Sequence, residues 1–279
     1  MRADRPEGNA AGRPLEFGPM TSLQRWDRAA APAVPAVDRR RPEIVALGAE
    51  MPTLEELFAF VRDAELRFDT LWMRIEERTF GTRGEQMTVM EIALRHPGLA
   101  RVTTTEPSAG ATGNFETWIS DGEMVRTYSR LHRLGTERPV RPSVRGLDDP
   151  DLPGRSKVYR PLTPLPMETL PETFIHPAGY CQNVLATGRT WISGTEVVRG
   201  RETIVVQCDH PRATELAADR PDFHIEVAVD RADGVILRLV ETIAGEITRD
   251  AEAVGFEPDA ALPPATFDFH FPTGTTMLY

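Results

Sequence analysis

Lysine is nearly missing from this sequence: Lys157 is the only one among 32 basic residues, so arginine carries the positive charge. Against these stand 42 acidic residues and a net charge of −10, a field that repels nucleic acid and anionic bilayers and excludes a general polyanion binder. The phosphate cradle G-x-x-x-x-G-K-[ST] is excluded as well, because the single lysine does not close such a loop. Cysteine is almost as scarce, with Cys181 and Cys208 alone, and neither has a second Cys or a His at metal-ligand spacing. Long apolar runs are absent. No stretch of about 20 apolar residues and no apolar core of a signal peptide occurs, so the chain as written is expected in the cytoplasm without a transmembrane segment. Arg39-Arg40-Arg41 is not expected to open a twin-arginine signal, since Pro42-Glu43 follows and the apolar stretch from Ile44 to Leu47 stops at Gly48. Without an export signal the two cysteines are expected as reduced, buried thiols; in an exported chain Cys181 and Cys208 would be the candidate disulfide.

Catalytic signatures are missing too. There is no G-x-S-x-G elbow for a nucleophilic serine and no dinucleotide fingerprint. The six histidines, His96, His132, His176, His210, His224 and His270, are scattered, and none forms H-x-x-x-H. Asp209-His210 and Asp222-Phe223-His224 read as polar strand ends facing water rather than an acid/base pair. The expectation is a protein that is not an enzyme and uses neither metal nor cofactor.

What the chain does have is punctuation: 24 Pro and 21 Gly argue against a helical bundle and for many turns. Residues 1–50 lack periodicity, and the segment from Ala29 to Val37 reads as a flexible arm, so folded structure is expected over 51–279. Thr53-Leu54-Glu55-Glu56 is a capping box, and Leu54, Leu57, Phe58, Val61, Ala64 and Phe68 follow at helical spacing, predicting one amphipathic helix that gives way to strand near Asp69. Strands are predicted from Met87 to Arg95 and from Leu99 to Thr105, with a hairpin at Asp121-Gly122. Between Gly135 and Pro171 seven prolines deny regular sheet pairing, so 135–171 is expected to be a long excursion. A short helical piece from Pro177 to Leu185 precedes further strands, joined by turns at Arg199-Gly200, Asp233-Gly234 and Ala244-Gly245 and ending with one from Thr266 to Phe271.

Helix 53–68, the strands to Arg95-His96-Pro97-Gly98, the segment from Trp118 to Tyr128, and the closing Phe267-Asp268-Phe269 with Phe271-Pro272-Thr273-Gly274 resemble, in that order, the bacterial lipoprotein carrier LolA and its relatives LolB and RseB. The segment from Gly194 to Glu202 is most similar to the RseB branch and to LolA-like proteins of GC-rich Gram-positive bacteria. The resemblance covers about residues 52–276. It implies an α+β, mainly β fold: a strongly curved antiparallel sheet, an unclosed barrel of about ten or eleven strands covered by one to three helices. It also implies an apolar small molecule or lipid as ligand, with Leu57, Phe58, Val61, Phe68, Trp72, Trp118, Tyr128 and Trp191 lining the cavity. In the LolA carrier an arginine before the Pro that ends the second strand holds the lid closed. Here that lid-locking position is His96, and Arg95, one place earlier, points to the opposite face. The relatives work outside the cytoplasmic membrane, which makes an extracytoplasmic site the alternative. The RseB branch implies a second reading, a regulatory protein that contacts a sigma or anti-sigma partner.

Overall fold

The computed structural model describes residues 46–82, 84–107, 115–140, 161–209 and 223–278. Residues 1–45 of the expected arm and 141–160 of the expected excursion lie outside them. Helix α1 (Leu54–Arg62) begins where the capping box predicts it: Thr53 Oγ1 accepts from the Glu56 amide at 3.2 Å, and Glu56 Oε2 accepts from the Thr53 amide at 2.8 Å. It buries Leu57, Phe60 and Val61. A 3-10 turn, Ala64–Leu66, follows it, so Phe68 lies beyond the helix and is nevertheless buried.

Two meanders make the sheet. The first runs through β1 (Thr70–Gly81), β2 (Gly84–Arg95), β3 (Leu99–Thr105), β4 (Phe115–Asp121), β5 (Met124–Ser129) and β6 (Leu134–Pro139). Then come α2 (Leu170–Ile175), α3 (Pro177–Asn183) and a 3-10 turn, Leu185–Thr187. The second meander is β7 (Arg189–Val198), β8 (Arg201–Asp209), β9 (Phe223–Asp230), β10 (Ile236–Ile243) and β11 (Glu246–Pro258). β11 pairs antiparallel with β1 and so joins the meanders, and β12 (Thr276–Leu278) adds in parallel to β6. The result is one curved, unclosed sheet of 12 strands in the order β12-β6-β5-β4-β3-β2-β1-β11-β10-β9-β8-β7.

Alternation along each strand separates two faces. Leu71, Met73 and Ile75 of β1 stand beside Leu94, Ile92 and Met90 of β2 and face the helices, as do Leu239, Val227 and Val206 further along the sheet. This inner face forms one core with Phe60, Phe174, Ile175 and Leu185.

The structure corrects two expectations. The excursion does not begin at Gly135, because residues 134–139 are β6, and Pro139 is tolerated as that strand's last residue. At its other end α2 already starts at Leu170, with Pro171 in the first turn where a missing amide costs nothing. Nor is Thr266 to Phe271 a strand. A 3-10 turn, Pro264–Phe267, opens a strap that crosses the outer face, held by Arg101 Nη1 donating to Thr266 O at 3.2 Å and by Arg95 donating to Leu262 O. A segment crossing strands at an angle cannot form a ladder with them. Among the described residues no helix is long and apolar enough to cross a membrane.

Candidate functional site

The eight aromatic and aliphatic residues singled out by sequence divide between the two faces. Leu57 and Val61 on α1, together with Phe68, are in the inner core at 1–3% exposure. Phe58 and Trp118 are partly buried against that core, and Trp118 pairs with Val102 across β3 and β4. These five come together. Trp72 lies on the outer face because its neighbours Leu71 and Met73 take the inner one; its ring rests over Gly255, where an added Cβ would meet the indole at 2.5 Å. Tyr128 also faces outward and is buried under the strap, 6.3 Å from the Phe269 ring and 6.1 Å from Phe115. Trp191 belongs to edge strand β7, pairs with Gln207, and is 36% exposed beside His224.

Between helices and sheet Phe60, Phe174, Leu71 and Ile92 are all fully buried. Two surface depressions, one of about 310 Å³ around Arg74, Glu91 and Thr103 and one of about 450 Å³ around Gly48, Arg201 and Arg231, are lined by none of the eight. Cys181 and Cys208 are free, buried thiols, and burial pushes Cys181 up to about 12.

Sequence reasoning passed over a buried polar cluster where residues 161–165 meet the fold. His96, the expected lid-locking position, has Nδ1 at 2.7 Å from Thr163 Oγ1, which also accepts from the Gly98 amide at 2.9 Å. Thr163 is fully buried. Glu65 accepts from the Leu162 amide at 2.8 Å, and its Oε2 lies 3.3 Å from His176 Nε2. That contact lacks hydrogen-bond alignment, so both ring nitrogens of His176, and Nε2 of His96, are buried without a hydrogen-bond partner among the described residues. Burial pushes Glu65 up to about 7 against the Leu162 bond, and holds His176 down to about 3, with His96 adding to the effect. His96 is held to about 4 by burial, opposed by the Asp69 charge. The only sequence signal was His-Pro at 96–97 and again at 176–177, each too common to stand alone.

Two further polar groups assemble across strands. On the outer face His224 reaches Asp209 and Gln207, each at 3.0 Å, and Gln207 donates to Glu226 at 2.7 Å. On the inner face Arg249 is held between Glu77 at 2.6 Å and Glu241 at 3.5 Å. Burial and the Glu241 carboxylate raise the neighbouring Tyr180 phenol. No group of three or more His, Cys, Asp or Glu side chains is placed to hold a metal ion among the described residues.

No family model matches the sequence, and no curated protein matches it. Solved structures do. An uncharacterized conserved protein from Thermus thermophilus is 12% identical over 80% of this chain and 98% of its own, with a TM-score of 0.46. MucB in the Pseudomonas aeruginosa MucA/MucB complex is 12% identical over 78% of this chain, at a TM-score of 0.43, and the match spans only 61% of MucB. A LolA superfamily protein from Nitrosomonas europaea is 11% identical over 78% of this chain and 99% of its own, at 0.34. These likenesses concern architecture alone, and what the coordinates themselves give is an open curved sheet with short helices on its inner face.

Proposed function

We infer that the protein binds, without catalysis, a lipid, an acyl chain or another long apolar molecule between the inner face of the sheet and α1. One observation carries this reading: the layer of helices meets the sheet through apolar side chains on short segments. α2 and α3 have 6 and 7 residues and no side-chain bond at either N-cap, too short to be stable except through what they bury. An interface held by apolar burial is one whose partner surface an acyl chain can replace, since each buried methylene is worth about 0.8 kcal/mol. Phe58 and Trp118, partly buried at its margin, are where such a chain would first make contact. Leu57, Val61 and Phe68 would then form the wall behind it.

Native mass spectrometry of the full chain from its own host, with organic extraction, tests the reading. A discrete co-purifying lipid or apolar metabolite is expected. Protein that arrives empty and takes up no fluorescent fatty-acid probe would overturn it.

The alternative is a regulatory protein that contacts a sigma or anti-sigma type partner. What favours it is edge strand β7, unpaired on one side among the described residues, with Trp191 and Val197 exposed along it. A stoichiometric polypeptide lost on Trp191→Ala would favour this reading over the first.

A further inference from the structure

Residues 161–165 are fastened to the fold by groups from three separate elements. Glu65, on the 3-10 turn after α1, holds the Leu162 amide. The turn between β2 and β3 holds Thr163 twice, through His96 Nδ1 and the Gly98 amide. His176, between α2 and α3, closes the far side against Glu65. Behind them Phe68 stacks on the His96 ring at 5.5 Å, and Leu165 anchors the segment in the core. The hydrogen bonds, the buried threonine and the unpartnered ring nitrogens all lie at the same seam.

We propose that Glu65, His96, Thr163 and His176 form an acid-released clasp, which holds residues 161–165 against the fold near neutrality and lets them go on acidification.

The direction follows from which protonation states the closed seam tolerates. The groups recorded as facing it are Glu65 from the turn, Asp69 from the start of β1, His96 from the β2–β3 turn and His176 from the α2–α3 junction; residues 162 and 163 contribute only an amide and a hydroxyl. Glu172, one helical turn before His176, is occupied by the Glu168 amide at 2.6 Å. A closed seam keeps both imidazoles neutral, because His176 protonates only near 3 and His96 near 4, whereas released into water each protonates near 6.5. Glu65 works the other way. Closed, it keeps its proton up to about 7; released, it ionises near its ordinary value of 4.5. Between pH 6.5 and 4.5, opening therefore takes up about two protons at the histidines and gives up about one at Glu65. A net uptake of about one proton raises the opening equilibrium about tenfold per pH unit of acidification. From about 7 down to 6.5 only Glu65 acts, and acid slightly favours closure.

Hydrogen exchange of the full chain, corrected for the intrinsic pH dependence of exchange, reads this equilibrium at the Leu162 and Gly98 amides, with the β1–β2 ladder as internal reference. Protection at both amides is expected to fall about tenfold per unit between pH 6.5 and 4.5 while the ladder stays protected. His176→Asn removes one uptake and should flatten the slope. His96→Asn with His176→Asn leaves Glu65 alone and should reverse it, whereas Glu65→Gln should steepen it to about a hundredfold per unit. Unchanged wild-type protection over this range would overturn the proposal, as would equal loss in the ladder or a slope indifferent to the substitutions. The wild-type measurement decides even if a variant does not fold, and none of these readouts depends on a bound lipid.

Discussion

The two faces of the sheet are covered in different ways. On the inner face α1, α2 and α3 meet the strands through Leu57, Phe60, Phe174 and Ile175, contacts that have no direction and depend on fit. On the outer face the strap is tied down at named atoms. The Asp259 amide donates to Thr70 O at 2.7 Å, Thr70 Oγ1 donates to Ala260 O at 2.7 Å, and Arg95 and Arg101 donate to strap carbonyls. Rings then lock in behind, with Arg95 over Phe267 at 5.5 Å and Phe269 edge-on to Phe271 at 5.1 Å. Hydrogen bonds fix a segment in one register, whereas an apolar interface can slide or open at a cost set only by the area uncovered. Apart from the hydrogen bonds at residues 161–165, the inner cover is therefore the one that the proposed ligand would have to replace, and the outer one is suited to hold the sheet's shape.

Substitutions can break that contrast. Phe60→Ala removes a ring at 1% exposure from the inner core and should lower stability by about 3–5 kcal/mol in chemical denaturation; a loss below about 1 kcal/mol would mean the helix layer is not anchored there. Gly135→Ala tests the outer face. Its Cβ would stand 2.6 Å from the Phe271 ring and 2.9 Å from Met277 Sδ, so the strap's end must shift, at a cost of about 1–3 kcal/mol. Exchange should quicken in residues 269–278, with the inner core unaffected. Phe58→Ala, at the margin, should weaken binding of a fatty-acid probe more than it lowers the melting temperature; a large drop in melting temperature with unchanged binding would assign Phe58 to the core. The smallest effect is chemical. Cys181, pushed up to about 12, should resist a thiol reagent at pH 8 in the native state, and both thiols should react once the chain is denatured.

Local chemistry made part of this legible in the sequence. The Thr53–Glu56 box placed α1 because capping is decided within four residues. Arg199-Gly200 and Ala244-Gly245 marked hairpins, and all four residues have the positive φ that a two-residue turn requires. Which face a strand residue takes was harder to read. Trp72 is as apolar as its inward neighbours Leu71 and Met73, Tyr128 is more apolar than its inward neighbours Thr127 and Ser129, and only the strap explains why an outward Tyr128 is buried. α2 was hidden by Pro171, which argues against a helix until its place in the first turn is known. Of the buried cluster only His96 was singled out, since Glu65, Thr163 and His176 join it only through the tertiary fold and sit at no shared spacing.

The pairing of β1 with β11 also bears on how the chain is made. Trp72 lies opposite Glu257, so a strand in the middle of the sheet waits for a neighbour encoded 185 residues later. At a ribosomal rate of about 5–20 residues per second, the far edge of β1 stays bare for roughly 9–35 s after it emerges. During that time the first meander has an unpaired side that can pair with another nascent chain as readily as with β11. Completion of this sheet therefore waits for β11, and its exposed intermediate is the half-sheet β1–β6.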